Sequence, residues 1–233
     1  MKAAKKHCRD ISEKNETALF LSLQQYKKEI RNGRIMNSSK ITLDYYDRRK
    51  AEYVQMSSGA DMSAVRNEFM DLVPAGGRIL DCGCGSGRDT LAFSEAGYQV
   101  IPMDGSEEMC RATFELTGIQ PLHMLFSEMD LKEEFDGIWA CASLLHVPKK
   151  ELPAILQRLT RTAKKQAVLY MSFRYGTFEG ILTERYYSYY TENEIIQLLN
   201  ETGYWKYLKH HITDDSLQRS PDLKWLNVFC YKD

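Results

Sequence analysis

The sequence predicts an α/β fold in which a largely parallel sheet is covered by helices on both faces. Short apolar runs alternate with amphipathic stretches along most of the chain, which is the pattern of strand–helix–strand units. The first run, 76–80, passes through a glycine-rich turn directly into a helical pattern. The last two runs, 204–212 and 225–231, have no convincing helix between them, so we expect them to pair as antiparallel neighbours.

The composition is that of an ordinary globular protein. Of 233 residues, 43% are hydrophobic and 27% are charged, and 31 basic residues against 32 acidic ones leave a net charge of −1. This balance produces no global basic field that would attract nucleic acid. No apolar run reaches the ~18–20 residues that span a bilayer, and no apolar signal core follows the basic start. We therefore expect a cytoplasmic protein without a membrane partner.

The six cysteines indicate neither disulfides nor a metal site. They form no C-x-x-C pair and no cluster with histidines. Reduced thiols and no bound metal are the expectation.

The chain divides into an N-terminal helical extension, 1–36, and a main domain, 37–233. Apolar residues recur at helical spacing between 13 and 31, and Asn32-Gly33 would end such a helix. Three roles are open for the extension: capping the active site, joining two copies in a homodimer, or packing on the sheet.

The most specific motif is the turn after the first apolar run, Asp81-Cys82-Gly83-Cys84-Gly85-Ser86-Gly87. Dinucleotide-binding proteins space their glycines G-x-G-x-x-G, whereas here the spacing is G-x-G-x-G with an acid two residues ahead. This difference opposes an NAD(P)-linked oxidoreductase. An acid at this point suits a ligand that brings its own ammonium group, and the glycines let the backbone approach an uncharged part of that ligand. S-adenosylmethionine (SAM) has both features.

The second apolar run, 98–104, ends in an acid that supports nucleoside binding. Asp104 lies at a strand end where a carboxylate commonly accepts hydrogen bonds from ribose hydroxyls. Gly105 and Ser106 follow, and Ser106 is a suitable N-cap for the next helix.

Together the two motifs, D-x-G-x-G-x-G at 81–87 and D-x-S at 104–106, resemble those of the class I SAM-dependent methyltransferases. The resemblance covers about 41–232. It implies a Rossmann-like sheet of seven strands, mostly parallel with one antiparallel strand, and SAM as the cofactor, with S-adenosylhomocysteine (SAH) as its product. Arg88 and Asp89 extend the turn into Gly-Arg-Asp, which is similar to methyltransferases of the tellurite-resistance type. Arg88 would hold the cofactor carboxylate or a substrate anion, unless it is a solvated residue of the first helical turn.

The later elements follow the same alternation of strands and helices. We expect strands at 121–126, 135–142 and 166–173, a helix over 150–163, and a helix that begins at the capping box Thr191-Glu192-Asn193-Glu194 and ends at Gly203.

By the resemblance, the segments after these strands hold the remaining site residues. The adenine would lie against Glu128 and Met129, with Asp130 as the alternative. Ala142, after the fourth strand, would contact the methionine part of the cofactor. His146 lies at the same strand end, and its titration range suits a general base, although a structural histidine is equally compatible with the pattern.

Aromatic and basic residues provide candidates for closing the pocket. Tyr45 and Tyr53 are candidates for covering the cofactor, because a tyrosine face attracts a sulfonium as it attracts an ammonium. For the acceptor, the candidates are Tyr46 and three residues of the aromatic and cationic segments after the fifth strand: Arg174, Arg185 and Tyr187. Packing of the core or of a lid is the alternative for all of them.

The sequence therefore predicts methyl transfer to a small-molecule acceptor by in-line displacement, in which the protein acts mainly by positioning the acceptor against the methyl group. A methyl acceptor on tRNA or on a peptide is the alternative within the same chemistry. A SAM-binding regulator without turnover is the alternative outside it.

Overall fold

The computed structural model describes residues 38–132 and 134–233. The predicted extension, 1–36, and its helix over 13–31 lie outside the described residues. The helices are, in chain order, α1 (Ser38–Arg48), α2 (Lys50–Ser58), α3 (Ser63–Met70), α4 (Arg88–Glu95), α5 (Glu107–Thr117), α6 (Leu152–Thr162) and α7 (Glu192–Thr202). None of the helices in this part of the chain is long and apolar enough to cross a membrane.

The strands are β1 (Arg78–Cys82), β2 (Gln99–Asp104), β3 (Leu122–His123), β4 (Phe135–Ala140), β5 (Ala163–Arg174), β6 (Glu179–Leu182), β7 (Arg185–Ser188), β8 (Lys206–Asp214) and β9 (Lys224–Tyr231). Seven of them form one sheet in the order β3-β2-β1-β4-β5-β9-β8. The pairs from β3 through β5 are parallel, and β9 is antiparallel to both of its neighbours. This confirms the predicted fold class, with its single reversed strand.

The sheet is buried on both faces. Across three central strands, Leu80, Ile138 and Leu169 are in register and belong to the larger core cluster, which α6 and α7 cover. One residue further along, Trp139 and Tyr170 point to the opposite face and stack with their ring centroids 4.0 Å apart. Phe69 of α3 and Phe93 of α4 pack on this second face.

Two predicted elements are wrong in detail. The third strand, expected over 121–126, contains only Leu122 and His123, because the backbone turns at Leu125 into a short 3₁₀ helix, Phe126–Glu128. The sequence also predicts no strand in the aromatic and cationic segment after the fifth strand, but this segment contributes to an antiparallel hairpin of β6 and β7.

The helix caps were predicted from residue type and are confirmed. Ser106 accepts a hydrogen bond from the N–H of Met109 at the start of α5. At α7, Thr191 and Glu194 form both bonds of the capping box, and Gly203 ends the helix with a left-handed backbone.

Candidate active site

The glycine turn joins β1 to α4 at the carboxyl edge of the sheet. The N–H groups of Gly83 and Cys84 donate to the carbonyl of Met103, 2.7 and 3.0 Å away, which fixes the turn against the end of β2. Gly83 has φ +86°, and a Cβ built on it would lie 2.3 Å from the Cβ of Ser143. Gly85 has φ +56°, and its Cβ would lie 3.5 Å from the Tyr53 ring. No side chain fits at Gly83, so the turn approaches the end of β4 as closely as a backbone can.

Asp104 lies directly beneath this turn. Its Oδ2 accepts the N–H of Gly85 and its Oδ1 accepts the N–H of Ser106, each at 2.9 Å. Burial raises the pKa of this carboxyl, and backbone N–H donors, those of Ser106 and Gly85 foremost, oppose the rise. A carboxylate has about four acceptor sites, so Asp104 keeps acceptor capacity for a hydroxyl donor.

Asp81 lies deeper than the sequence suggests. Its side chain is buried and accepts a hydrogen bond of 2.6 Å from the hydroxyl of Thr90. Burial raises the pKa of Asp81 to about 7, and the nearby Asp89 carboxylate adds to the rise. Asp81 does not line either cavity described below, so it supports the turn from behind.

A cavity of about 100 Å³ lies in front of the turn. Gly83, Gly85, Asp104 and Gly105 form its floor. Its far wall consists of Leu125, Phe126, Ser127, Ala142 and Ser143, and α1 covers it with Thr42, Leu43 and Tyr46.

The adenine candidates do not line this cavity. Met129 is buried in the core, Asp130 is exposed, and Glu128 accepts the backbone N–H of Leu125. The wall is formed instead by the three residues before them, Leu125–Ser127, which sequence reasoning missed. The lining residues lie three positions earlier than expected because β3 is short. The chain therefore reaches the cavity sooner than it would after a six-residue strand.

A second cavity, of about 400 Å³, adjoins the first and shares five lining residues with it: Tyr46, Tyr53, Cys141, Ala142 and His146. Four residues predicted from sequence line only this larger cavity: Arg88, Arg174, Arg185 and Tyr187. Its opposite wall includes Asp214, Arg219 and Trp225 at the end of β8 and the start of β9, which sequence reasoning also missed. The signal was available, since β8 runs parallel to β5 and its carboxyl end therefore meets the same edge of the sheet.

Other predicted residues lie near the site without lining either cavity. Besides Asp81 and the residues at 128–130, these are Cys82, Cys84, Gly87, Ser106 and Tyr45. The thiols of Cys82 and Cys84 are buried behind the turn, and burial raises the pKa of each.

His146 lies in the shared wall in a fixed tautomer. Its Nδ1 is 2.6 Å from the carbonyl oxygen of Tyr186, and because a carbonyl only accepts, Nδ1 carries the proton. Nε2 therefore accepts from the hydroxyl of Tyr46, 2.9 Å away. Burial lowers the pKa of His146 to about 3, and the charges of Arg185 and Arg174 contribute in the same direction. A neutral ring whose acceptor nitrogen is already occupied is a poor general base, so the geometry favours the structural alternative.

Arg88 is held by an acid of the protein. Its Nε and Nη2 donate to the Asp89 carboxylate at 3.0 and 2.6 Å. Asp89 also accepts from Arg66 and from the indole N–H of Trp139. The Arg88 charge is therefore compensated before any ligand binds.

Helix α1 connects the two cavities from above. Asp47 accepts a hydrogen bond from the hydroxyl of Ser106 beside the smaller cavity, and Leu43 lies against Gly105 in the floor of that cavity. On the other side, Thr42 accepts the N–H of Tyr186, and Arg48 and Arg49 pair with Glu184 in the β6–β7 turn. One helix thus covers both cavities.

Comparison with known proteins agrees with this geometry. Residues 79–166 match the family described as "Methyltransferase domain". Among curated proteins, the chain is 31% identical over 106 residues to YqeM of Bacillus subtilis, whose methyltransferase name is provisional, and the match covers 42% of each protein. The chain spans about half the length of the curated relatives it matches.

Solved structures share the fold at low identity. The 1,6-didemethyltoxoflavin-N1-methyltransferase of Burkholderia thailandensis, with bound 1,6-didemethyltoxoflavin and SAH, superposes with a TM-score of 0.61 at 20% identity, covering 90% of this chain and 89% of that one. TehB of Haemophilus influenzae has a TM-score of 0.61 at 16% identity over 74% of this chain and 63% of its own. At these identities the likeness demonstrates the fold.

Proposed function

We propose that this chain is a class I SAM-dependent methyltransferase, as its match to the methyltransferase-domain family over 79–166 indicates, and that it transfers the methyl group of SAM to a small-molecule acceptor. The observation that carries the proposal is the pair of adjoining cavities. They share the lining residues Tyr46, Tyr53, Cys141, Ala142 and His146, so a ligand in one can touch a ligand in the other.

The smaller cavity suits the nucleoside end of SAM. Asp104 keeps acceptor capacity for a ribose hydroxyl beside its backbone donors. Leu125 and Phe126 offer an apolar surface for a flat base, and the backbone of Gly83 and Gly85 leaves room for the sulfur and its substituents. The tyrosines at the junction of the cavities offer π-faces to a sulfonium.

The larger cavity suits the acceptor. Its volume of about 400 Å³ is that of a small-molecule site, which favours a small molecule over tRNA or a peptide. The cofactor supplies an activated methyl group. The protein contributes alignment of the acceptor with that group and exclusion of water, a positioning effect that is worth several kcal/mol.

In this proposal, the hydrogen bond between Tyr46 and His146 fixes the wall where the two cavities meet. His146, held by the carbonyl of Tyr186, fixes the phenol of Tyr46 in the wall that both cavities share. Burial raises the pKa of Tyr46 well above its usual value, so its hydroxyl keeps the proton at neutral pH. An acceptor that is already anionic or readily deprotonated would react here without a base from the protein.

Calorimetric titration with SAH tests the cofactor site. Wild type should bind SAH, and Asp104→Asn should weaken binding by about 10- to 100-fold, because hydrogen bonds to a charged carboxylate contribute about 1.5–3 kcal/mol. Asp130→Asn is the matched control, since this exposed carboxylate lines neither cavity and its loss should leave the Kd unchanged. Thermal unfolding of each variant shows whether it is folded.

Two results would reject the proposal. A folded wild-type protein that does not bind SAH has no cofactor site. A protein that binds SAH and transfers label from methyl-labelled SAM to tRNA or to a peptide, but to no member of a broad small-molecule library, has a macromolecular acceptor, and one that labels none of the three is a SAM-binding regulator.

A further inference from the structure

We infer that the methyl acceptor is an anionic compound with a flat ring, whose negative group binds between Arg174 and Arg185. This inference rests on the proposed function, because it assigns the larger cavity to the acceptor. The two arginines come from different elements, the end of β5 and the start of β7, and both line that cavity.

Neither guanidinium is neutralised by the protein. Among the described residues, no carboxylate lies within ion-pair distance of Arg174 or Arg185, whereas Arg88 is paired with Asp89 and Arg219 with Asp215. In addition, the Nε–H groups of Arg174 and Arg185 are buried and have no acceptor in the described part of the chain. Buried donors are normally satisfied, and the exceptions call for an explanation such as a missing ion.

Tyrosine rings hold the two cations in place without cancelling their charge. Arg174 lies 4.4 Å from the centroid of the Tyr187 ring and donates to the hydroxyl of Tyr189 at 2.7 Å. Arg185 lies 4.4 Å from the Tyr45 ring and 5.3 Å from Tyr187, so Tyr187 stands between the two guanidinium groups. A guanidinium stacked by its face keeps its N–H edges for a carboxylate.

The acids that line the same cavity do not offset this charge. Asp214 is paired with Lys224, and Glu68 with Lys209. Asp61 has no such partner among the described residues, but it is exposed at the rim. The uncompensated charge inside the cavity is therefore positive.

The other lining residues of the larger cavity are the reason for proposing a flat ring in the acceptor. Besides Tyr187, the cavity is lined by Tyr46, Tyr53, His146 and Trp225. Rings at several orientations around one space favour an aromatic ligand over a flexible aliphatic one. Positive charge and aromatic walls together specify a small aromatic acid.

The test uses three pairs of probes that differ only in charge: benzoate and benzamide, nicotinate and nicotinamide, indole-3-acetate and indole-3-acetamide. Each is titrated by calorimetry into wild-type protein saturated with SAH. At least one carboxylate should bind tenfold or more tightly than its amide. Arg174→Gln and Arg185→Gln should each abolish that preference, and Arg185→Lys should restore part of it, because a lysine keeps the charge but loses the fork.

Arg111→Gln is the control, since Arg111 is exposed on α5 and lies outside both cavities. It should change neither the preference nor SAH binding. Direct titration of SAH into each variant separates the two proposals: loss of SAH binding in wild type rejects the proposed function, whereas intact SAH binding without any preference for a carboxylate overturns only this inference. If the glutamine variants weaken SAH and leave the preference unchanged, the arginines hold the carboxylate of the cofactor, which also overturns it.

Discussion

Replacement of Gly83 by alanine tests how closely the glycine turn approaches β4. The added Cβ would lie 2.3 Å from the Cβ of Ser143 and 2.9 Å from its hydroxyl oxygen. Ser143 cannot rotate away, because the contact is with its Cβ and its hydroxyl donates to the carbonyl of Cys82 at 2.6 Å. The two segments would have to separate by roughly 1 Å to restore ordinary van der Waals contact.

Gly97 provides a matched control for backbone strain. Its φ of +88° is close to the +86° of Gly83, but a Cβ at Gly97 meets nothing within 4 Å. The free energy of unfolding of Gly97→Ala should therefore fall only by the cost of placing an alanine in a left-handed backbone conformation, about 1–2 kcal/mol. Gly83→Ala adds overpacking, typically about 1–3 kcal/mol, so its free energy of unfolding should fall by about 2–5 kcal/mol in total.

Urea unfolding of both variants measures the difference. Gly83→Ala should be less stable than Gly97→Ala by about 1–3 kcal/mol, and adding Ser143→Gly to it should recover much of that difference. The folded fraction of Gly83→Ala should also bind SAH far more weakly than Gly97→Ala does. Equal stabilities of the two single variants would refute the close approach on which the cofactor site depends.

Three further substitutions act through buried charges and are measured by chemical unfolding across a range of pH. Because the pKa of Asp81 is raised to about 7, the unfolded chain releases this proton first, and stability falls between pH 4 and 7. The free energy of unfolding of Asp81→Asn should therefore rise relative to that of wild type as pH increases. Compared with its value below pH 4, the difference should have changed by about 4 kcal/mol at pH 8. The pKa of His146 is lowered to about 3, so its contribution is present above pH 6.5 and is lost as pH falls. The stability advantage of wild type over His146→Asn should shrink by about 2 kcal/mol between pH 7 and 5. Asp89→Ala leaves Arg66, Arg88 and the Trp139 indole N–H without their acceptor. Its free energy of unfolding should therefore fall by about 3–5 kcal/mol, and the tryptophan emission should shift.

These three predictions share one control and fail in different ways. Asp130→Asn changes an exposed carboxylate and should follow wild type at every pH. A pH-independent gap between wild type and Asp81→Asn, or between wild type and His146→Asn, would contradict the burial described for that side chain. A loss below 1 kcal/mol in Asp89→Ala would mean that the Arg66–Asp89–Arg88 group is solvated.

The sheet and its glycine turn were predictable because their signals are local. The run before Asp81 is apolar and short, and the three glycines leave few conformations for the turn. Asp104 follows from the same rule at the next strand end. The reversal of β9 was predictable too, since no helix separates 204–212 from 225–231.

The β6–β7 hairpin was not predictable in the same way. Its turn consists of Thr183 and Glu184 with φ of +49° and +63°. Such a turn normally signals itself through glycine or asparagine, and neither is present here. Ion pairs of Glu184 with Arg48, the last residue of α1, and with Arg49, the residue after it, support a conformation that the local sequence does not favour.

The electrostatics of the site depend on contacts between distant segments. The tautomer of His146 is set by the carbonyl of Tyr186, 40 positions away, and its low pKa by burial beside Arg174 and Arg185. The sequence identifies a histidine at a strand end, but not the partners that keep it neutral.

The position of α1 has a kinetic consequence. The helix is hydrogen-bonded to Ser106, which lies beside the smaller cavity, and to Tyr186, whose neighbours Arg185 and Tyr187 line the larger one, so a movement of the whole helix away from the sheet breaks both contacts. We therefore expect ligand exchange in the two cavities to share a single opening step. In the proposed methyl transfer, a slow opening of this kind would limit turnover through release of the two products together, and it would give SAH and the proposed acceptor the same residence time.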